Sequence, residues 1–559
     1  MKKIFISIVS ILLFSATSQA QFSEMVNKSQ VHGSFEADGM YYHPDDAMGI
    51  TDSLINGRDF GFNAFARITY SLGKFSAGLR YEAFLPPMAG FDSRLDGNGF
   101  PNIWASYTMK KFSFTVGSFY EQFGNGLTLR SYEEWTLGYD NAINGIKIQF
   151  EPVSGLIFKG VYGVQRLFWT KYEKNNRSIV KGADLELNFN DLFTSMQDSK
   201  LRLSLGGSAV SKYQSDDLKP VYNLPNNVGN FAGRFNLGIG RFNFSSEYAY
   251  KINDPSAINN YIYKPGESLL FSASYSRKGL GIYAMFKRTD NFSFKSDLNE
   301  KENALDINFL PPIIEPHTYM LASMYPYSTQ PNGEIGFQFQ VDYKIPKKSK
   351  LGGKYGWGIH INYSQVNDIV RDSVNDTTRI NQNGTLGYSS KFFKFSDHVF
   401  NRDLTVEISK KFSKKFKSIL KYIHQDYDIA TLQGHPGEEV IHADIVVFDM
   451  TYKFTSKKAL RWELQGLFTN EDDGSWAAAL LEYTISPHWF FTVSDQWNYG
   501  NEITSERLHY YTGAFGYTLK TTRFAITYGR QREGVVCVGG VCRQVPASSG
   551  FYVTISSNF

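Results

Sequence analysis

Charged side chains cluster in the third long connection of this 559-residue chain. Arg130 lies close in sequence to Glu133, Glu134 and Asp140, and glycines that permit tight turns precede them. If this connection folds into a pore, the four charges form an eyelet that selects solutes by charge. The alternative is an external loop whose charges pair with one another.

The only two cysteines, Cys537 and Cys542, flank the run Val538–Gly539–Gly540–Val541. Gly-Gly between two apolar residues is a two-residue hairpin signal, which places the cysteines opposite each other. Their separation then suits a disulfide, and an oxidising exterior favours that bond. A metal site built from these cysteines needs further ligands. We therefore predict a disulfide-stapled loop tip.

Motifs for other chemistry are missing from the sequence. It contains no nucleophile elbow, no His-Glu-x-x-His and no phosphate-binding loop. His424, Asp426, His435 and His442 surround one connection, but their spacing matches no ligand pattern, and solvated histidines are expected there. We predict no catalytic residues, no cofactor and no metal site. A net charge of +4 gives no reason to expect nucleic acid.

Alternating strands must position these charges. The chain is polar on average, with a mean hydropathy of −0.32, yet it has 46 Phe and 35 Tyr. From Gln30 onward, apolar and polar residues alternate with period two, as strands with one apolar face do. We expect the charged side chains on the polar faces to point into an enclosed interior. There they either line a solute pathway or form salt bridges that hold the interior in shape. These residues are Arg67, Arg80, Glu82, Arg234, Glu247, Asp342, Glu407, Arg461, Glu463 and Glu482.

Connections between the strands fall into two populations. About 11 are short and often basic, such as those near Lys74 and Lys520, and about 12 are longer and polar. Short turns on one side and long loops on the other are typical of outer-membrane barrels. The sequence therefore predicts an all-β fold, a single large transmembrane antiparallel up-and-down β-barrel. We expect about 24 strands, within a range of 22 to 26.

Both ends of the chain agree with export to an outer membrane. Residues 1–20 have the basic start, apolar run and small-residue cleavage site of a signal peptide. Residues 21–559 then form one barrel domain. The final strand alternates Phe551, Val553, Ile555 and Phe559 on one face, like a signal for the barrel assembly machinery. We expect this strand to close the barrel against the first one, around Val31 to Tyr41.

Loops, interior side chains or partners must narrow so wide a barrel, because only about ten residues precede the first strand after the predicted cleavage. Residues 291–331 form the longest loop, and their aromatic content predicts packing inside the barrel or against a partner. Residues 368–401 end in the run Lys391–Phe395. That run is either an interfacial aromatic cluster or an extension of the next strand.

The runs Phe123–Asn141, Tyr319–Glu334 and Cys537–Pro546 resemble a family of uncharacterised outer-membrane β-barrel proteins of the Bacteroidota, and the resemblance covers most of residues 21–559. It implies location and fold in a Gram-negative outer membrane, not an activity. Two functions remain open. One is a porin-like channel or transporter for a small solute, gated by inward-folded loops. The other is a structural or assembly subunit that binds outer-membrane protein partners and has a loop-filled lumen.

Overall fold

A computed structural model describes residues 29–51, 59–169, 178–215, 222–301, 303–538 and 541–559, without the side chains of residues 536–542. The predicted signal peptide lies outside the described residues. Twenty-four antiparallel strands form one sheet that closes on itself. This confirms the predicted large β-barrel and its strand number.

The barrel strands follow one another around the wall in chain order. They are β1 (Gln30–Tyr42), β2 (Phe60–Leu72), β3 (Phe75–Phe84), β4 (Gly97–Thr108), β5 (Phe112–Phe119), β8 (Ile143–Phe150), β9 (Leu156–Gln165), β10 (Ile179–Asn188), β11 (Leu201–Tyr213), β12 (Asn227–Ile239), β13 (Phe242–Lys251), β14 (Gly266–Arg277), β15 (Leu280–Asp290), β16 (Gly333–Ile345), β17 (Trp357–Asp372), β18 (Ser389–Lys411), β19 (Phe416–Tyr427), β20 (Ile441–Lys453), β21 (Lys458–Phe468), β22 (Trp476–Ile485), β23 (Trp489–Trp497), β24 (Thr512–Leu519), β25 (Thr522–Gln531) and β28 (Ser548–Asn558).

Two short hairpins lie in the loops and belong to separate sheets. They are β6 (Glu133–Glu134) with β7 (Tyr139–Asp140), and β26 (Gly534–Val538) with β27 (Val541–Val545). The described helices are single turns in connections: α1 (Phe189–Leu192), α2 (Ile429–Leu432), and 3-10 turns at Asp46–Met48, Ser93–Leu95, Trp135–Leu137, Thr194–Met196, Ala257–Asn259 and Thr504–Glu506. Among the described residues, no helix has the length and apolar character needed to cross a bilayer.

The seam between β1 and β28 closes the barrel, as the sequence predicts. Their antiparallel register runs from Ser34 opposite Asn558 to Tyr42 opposite Gly550. The ring of Phe559 covers Gly33, where an added Cβ would lie 2.1 Å from the ring. Glycine at that position therefore makes room for the aromatic ring that ends the seam.

The outer face of the barrel is apolar. Large hydrophobic side chains are exposed along the strands, including Phe75, Ile103, Phe339, Leu464 and Phe551 at 40–56%. Their sequence neighbours point inward because alternate side chains of a strand face opposite sides. The core of the protein consequently lies inside the barrel, where loops and inward side chains bury one another.

Eleven short turns alternate with twelve longer connections, as predicted from the sequence. The longest loop, between β15 and β16, packs inside the barrel. Residues 368–401 differ from a simple loop because β17 and β18 remain paired out to Asp372 and Ser389. The run Lys391–Phe395 is thus the extension of the next strand, which was one of the two interpretations.

Candidate functional site

Two long loops fill much of the barrel interior. Loop A comprises residues 120–142, between β5 and β8, and loop B comprises residues 291–332, between β15 and β16. In loop A, Asn125 donates from its backbone N and its Nδ2 to Glu247 of β13, at 2.7 and 2.8 Å. The predicted interior residue Glu247 therefore anchors the loop that holds the predicted eyelet.

The β6–β7 hairpin of loop A carries a buried charge network. Arg80 of β3 pairs with Glu82 at 2.6 Å, and also with Glu133 and Asp140 of the hairpin. Arg166, in the connection after β9, pairs with Glu82 at 2.6 Å and with Asp140 at 2.5 Å. Three of the predicted wall and loop charges thus come together around Arg80, which is 2% exposed.

Arg67 of β2 extends this network toward the open lumen. Its guanidinium pairs with Glu133 at 2.6 Å and lies 4.8 Å above the ring of Trp135. Trp135 stacks on the inward ring of Phe65, with 4.9 Å between centroids. Stacking and ion pairing therefore hold the hairpin against the same wall.

The guanidinium groups set the ionisation of the hairpin carboxylates. Burial alone would raise the pKa of Asp140, but Arg166 and Arg80 outweigh it and hold that pKa below its ordinary value. For Glu133, burial is likewise outweighed by Arg80, by Tyr120 and by Arg67, so the pKa is lowered. Both carboxylates remain charged, which keeps the network intact.

Arg130 and Glu134 have other partners than Glu133 and Asp140. The Arg130 guanidinium lies 3.8 Å above the ring of Phe309 and 4.4 Å above that of Tyr132. Glu134 accepts hydrogen bonds from the backbone N and Oγ1 of Thr136, at 3.2 and 2.6 Å, and caps the following 3-10 turn. Among the four eyelet candidates, only Glu133 and Asp140 enter the Arg80 network.

Loop B binds the opposite wall mainly through apolar side chains. Part of the inner faces of β19 to β22 is apolar, and residues of loop B cover that part in one buried cluster: Leu321, Ala322, Met324 and Tyr325 against Ile423, Tyr427, Ile429, Ile441, Ala443, Ile445, Val447, Leu467, Trp476 and Ala478. Leu321 is fully buried. Its backbone N also donates to the Gln465 side chain at 2.9 Å.

Polar wall residues fix loop B along its length. Glu315 lies 2.9 Å from the Nε2 of His360 on β17, and His317 lies 2.7 Å from Asp403 on β18. Gln425 of β19 donates to the carbonyl of Tyr325 at 2.9 Å. Loop B therefore crosses the lumen as an ordered segment.

The two loops join each other inside the barrel. The backbone N of Arg130 donates to the carbonyl of Ile307, and that of Phe309 donates to the carbonyl of Gly126, both at 2.9 Å. The Nδ2 of Asn141 donates to the carbonyl of Asp306 at 2.7 Å. We call the combined loops the inner plug.

The remaining predicted interior charges lie on the wall, most of them beside a partner of opposite charge. The pairs are Arg234 with Asp184 at 2.7 Å, Asp342 with His360 at 2.8 Å, Glu407 with Lys421 at 3.9 Å, and Arg461 with Asp449 at 3.1 Å and with Glu463. Glu482 stands opposite Arg461 in the β21–β22 register. All of these pairs except Arg461 with Glu463 join different strands, and Arg234 reaches from β12 across β11 to Asp184 on β10.

The cysteines occupy the β26–β27 hairpin, as the sequence suggests. Cys537 and Cys542 stand directly opposite each other in its register. Their side chains lie outside the described part, so the disulfide stays a prediction. Among the described residues, no group of three or more His, Cys, Asp or Glu is arranged to hold a metal ion.

One sector of the wall faces away from the inner plug. The barrel-strand contacts of loops A and B run from β2 round to β22, and β23, β24, β25, β28 and β1 lie beyond them, while the Trp135–Leu137 turn of loop A touches β27. The inner face of this sector, which we call the polar sector, carries small polar side chains: Ser494 and Thr512 are 2.6 Å apart, and Thr554 donates to Asp38 at 2.8 Å. A cavity of about 240 Å³ separates Glu36 and Asp38 from Trp135 of loop A.

A second, larger space lies under the inner plug at the short-turn end. This cavity of about 870 Å³ is lined by Lys344, Lys411 and Lys417, together with His360, which contacts Glu315 of loop B. The lumen therefore remains open below loop B, and its wall there is basic.

Comparison with known proteins places the chain in a family. The model of the family described as "Family of unknown function (DUF6029)" matches residues 1–559. The chain belongs to this family. None of the curated proteins matches the chain.

Several solved structures resemble the chain at low identity. The translocation pore of the P pilus usher PapC is 9% identical over 95% of this chain and 99% of its own, with a TM-score of 0.42. The siderophore receptor PirA from Pseudomonas aeruginosa is 10% identical over 95% and 80%, with a TM-score of 0.40. OccAB3 from Acinetobacter baumannii is 10% identical over 95% and 99%, with a TM-score of 0.35. The barrel architecture of this chain rests on its own strand pairing.

Some residues that form or hold the inner plug could not be assigned from strand patterns. Arg166 and Glu315 lie in connections, where no alternation marks an inward side chain. One signal was present in β20, whose inward residues Ile445 and Val447 are as apolar as the outward Val446. A strand that is apolar on both faces needs a cover inside the barrel, and loop B supplies it.

Proposed function

We propose that the protein is an outer-membrane channel or transporter for small solutes, narrowed by the inner plug. The observation that carries this proposal is the polar sector of the wall, because a cavity separates its carboxylates Glu36 and Asp38 from Trp135 of loop A. A solute would pass between Trp135 and the carboxylates of Glu36 and Asp38. The basic cavity under loop B would receive it at the periplasmic end.

The outer face supports the location in a membrane. In water, a continuous band of exposed Phe, Leu and Ile would cost a large free energy, whereas lipid accepts such a band. Long loops would then be extracellular and short turns periplasmic. Membrane fractionation tests this, and recovery of the full-length protein in a soluble fraction would contradict it.

We further propose that the final strand is an assembly signal for the barrel. The ring of Phe559 packs on Gly33 at the seam, and the backbones of these two residues hydrogen bond to each other at 2.8 and 2.9 Å. Phe559→Ala should lower the amount of inserted barrel, and Phe412→Ala, which changes an exposed ring in a short turn, is the control. Equal insertion of the two variants would count against the signal.

Single-channel conductance in planar bilayers tests the channel. We expect discrete openings with wild type. Glu36→Gln should shift the reversal potential toward anions because it removes a carboxylate from the pathway. Glu438→Gln, in an exposed loop, is the matched control. If Glu36→Gln leaves the ion selectivity of the openings unchanged, the pathway does not pass Glu36.

A structural subunit of a larger outer-membrane complex is the second candidate. Fully buried side chains such as Leu321 and Ile313 favour it, because they make the inner plug a packed core instead of a loose lid. Wild-type protein without any openings, including under applied voltage, would support this candidate over the channel.

A further inference from the structure

A separate cavity of about 310 Å³ lies at the long-loop end, above loop B. Tyr325 of loop B forms one side of it, and the connections after β19, β21, β23 and β25 contribute to the others. Its volume is at the lower end of the range for small-molecule sites. Loop B thus contributes both to the inner plug and to this cavity.

Charges of both signs line the cavity without pairing. Asp472, Asp473, Glu506 and Glu533 contribute carboxylates that form no ion pair within the described part, although Asp472 accepts a hydrogen bond from the Tyr325 hydroxyl at 2.9 Å and Asp473 accepts one from the Nδ2 of Asn501 at 3.3 Å. Arg532 donates one hydrogen bond, from Nη1 to the carbonyl of Glu533 at 3.1 Å. A half-buried guanidinium and several carboxylates thus remain available to a ligand that carries both charges.

The surplus of carboxylates contributes to a raised pKa of one of them, Asp473. Burial, with the nearby charges of Asp472 and Glu533, raises the pKa of Asp473 to about 6. A ligand ammonium group beside Asp473 would offset this repulsion and favour the charged carboxylate.

Two buried polar atoms in the cavity lining lack partners. Trp476 is 2% exposed and Asn498 is 3% exposed, yet the Nε1 of Trp476 and the Oδ1 of Asn498 have no hydrogen-bond partner. Leaving such groups unsatisfied costs free energy, so a partner is expected. Tyr510 packs on Trp476 with centroids 5.7 Å apart and adds an aromatic surface.

We propose that this cavity binds a small zwitterion, an amino acid or short peptide with an apolar side chain. Its ammonium group would face Asp472 and Asp473, and its carboxylate would meet Arg532. Its side chain would lie against Trp476 and Tyr510. A metal ion would use neither the guanidinium nor the indole N–H, and a simple amine would leave Arg532 unpaired.

Titration calorimetry on the full-length protein in detergent micelles tests the proposal. The probes are phenylalanine, phenethylamine, which lacks the carboxylate, and 3-phenylpropionate, which lacks the ammonium group. We expect phenylalanine to bind at least roughly tenfold more tightly than either, since each analogue loses a charge-assisted contact.

Two variants assign the contacts. Arg532→Gln should abolish the preference for phenylalanine over phenethylamine. Asp473→Asn should abolish the preference for phenylalanine over 3-phenylpropionate. Arg379→Gln, in an exposed remote loop, is the matched control. Circular dichroism melting of each variant checks that the barrel is intact.

The proposal is overturned if phenethylamine binds as tightly as phenylalanine, or if no probe binds wild type. It is also overturned if intact Arg532→Gln protein keeps the wild-type preference. This binding site extends the proposed channel by naming a solute class, but its test is separate. Binding without conductance would contradict the proposed channel and support the binding site. Conductance without binding would support the channel and contradict the binding site.

Discussion

The two halves of the inner plug are held by different forces. The β6–β7 hairpin of loop A docks through charges, with Glu133 and Asp140 bound to three arginines. The segment of loop B around Leu321 docks through apolar contacts on β19 to β22. Each half covers a different sector of one barrel wall.

This difference determines what each half responds to. A buried ion network depends on every partner, because removal of one leaves the others charged in a poorly hydrated site. An apolar contact depends on volume and is insensitive to pH. The loop A hairpin is therefore held by contacts that protonation can release, whereas the segment of loop B around Leu321 is held by contacts that protonation does not change.

Replacement of the central arginine should have the largest effect. Arg80→Ala leaves Glu82, Glu133 and Asp140 with fewer partners, and we expect a loss of about 3–5 kcal/mol in the free energy of unfolding. Urea unfolding in micelles, followed by tryptophan fluorescence, measures it. Arg94→Ala, whose half-exposed guanidinium pairs with Asp92 and with Glu300, should cost less than about 1 kcal/mol. Similar losses for both variants would show that charge does not hold the hairpin.

A cavity in the apolar half should cost slightly less. Leu321→Ala removes a fully buried side chain, and we expect a loss of about 2–5 kcal/mol that is the same at pH 7 and pH 4. The control is Leu386→Ala, at an exposed loop leucine, with an effect within about 0.5 kcal/mol. A strongly pH-dependent loss for Leu321→Ala would break the distinction between the two halves.

Acid should release the charged hairpin of loop A while the segment around Leu321 stays in place. The pKa values of Glu133 and Asp140 are lowered in the folded protein, so their contribution is complete above their ordinary values of 4.5 and 3.8. It is lost as pH falls through the lowered values. Hydrogen exchange should show hairpin amides unchanged from about pH 8 to pH 5 and less protected below about pH 4, relative to loop B amides corrected for intrinsic rates. An equal loss of amide protection in both loops would refute selective release of the loop A hairpin.

The smallest effect concerns the edge of the apolar half. Tyr325→Phe removes the hydrogen bond from its hydroxyl to Asp472, 2.9 Å long, and keeps the ring in the cluster. We expect a loss of about 0.5–1.5 kcal/mol. Tyr213→Phe, on the outer face, is the control. A loss as large as that of Leu321→Ala would mean that polar contacts also dominate loop B.

The sequence was informative wherever contacts are local. Alternation along each strand marked which side chains face inward, including Arg80 and Glu247. The turns marked where most strands end, but the sequence left open whether the run Lys391–Phe395 extends β18, which the pairing of β17 with β18 then showed. Residues that act together but lie far apart were not accessible: Asn125 meets Glu247, and Leu321 meets Gln465.

The sequence by itself determined a closed barrel, its strand number, its two faces and its seam, because period-two alternation and turn residues are properties of short segments. Only the tertiary structure decided that loops A and B join into one inner plug, that Arg130 stacks on Phe309 instead of pairing with Glu133, and that charges of both signs meet in one cavity. The physical reason is that loops carry no periodicity. Their positions follow from surfaces that exist only after the barrel has closed.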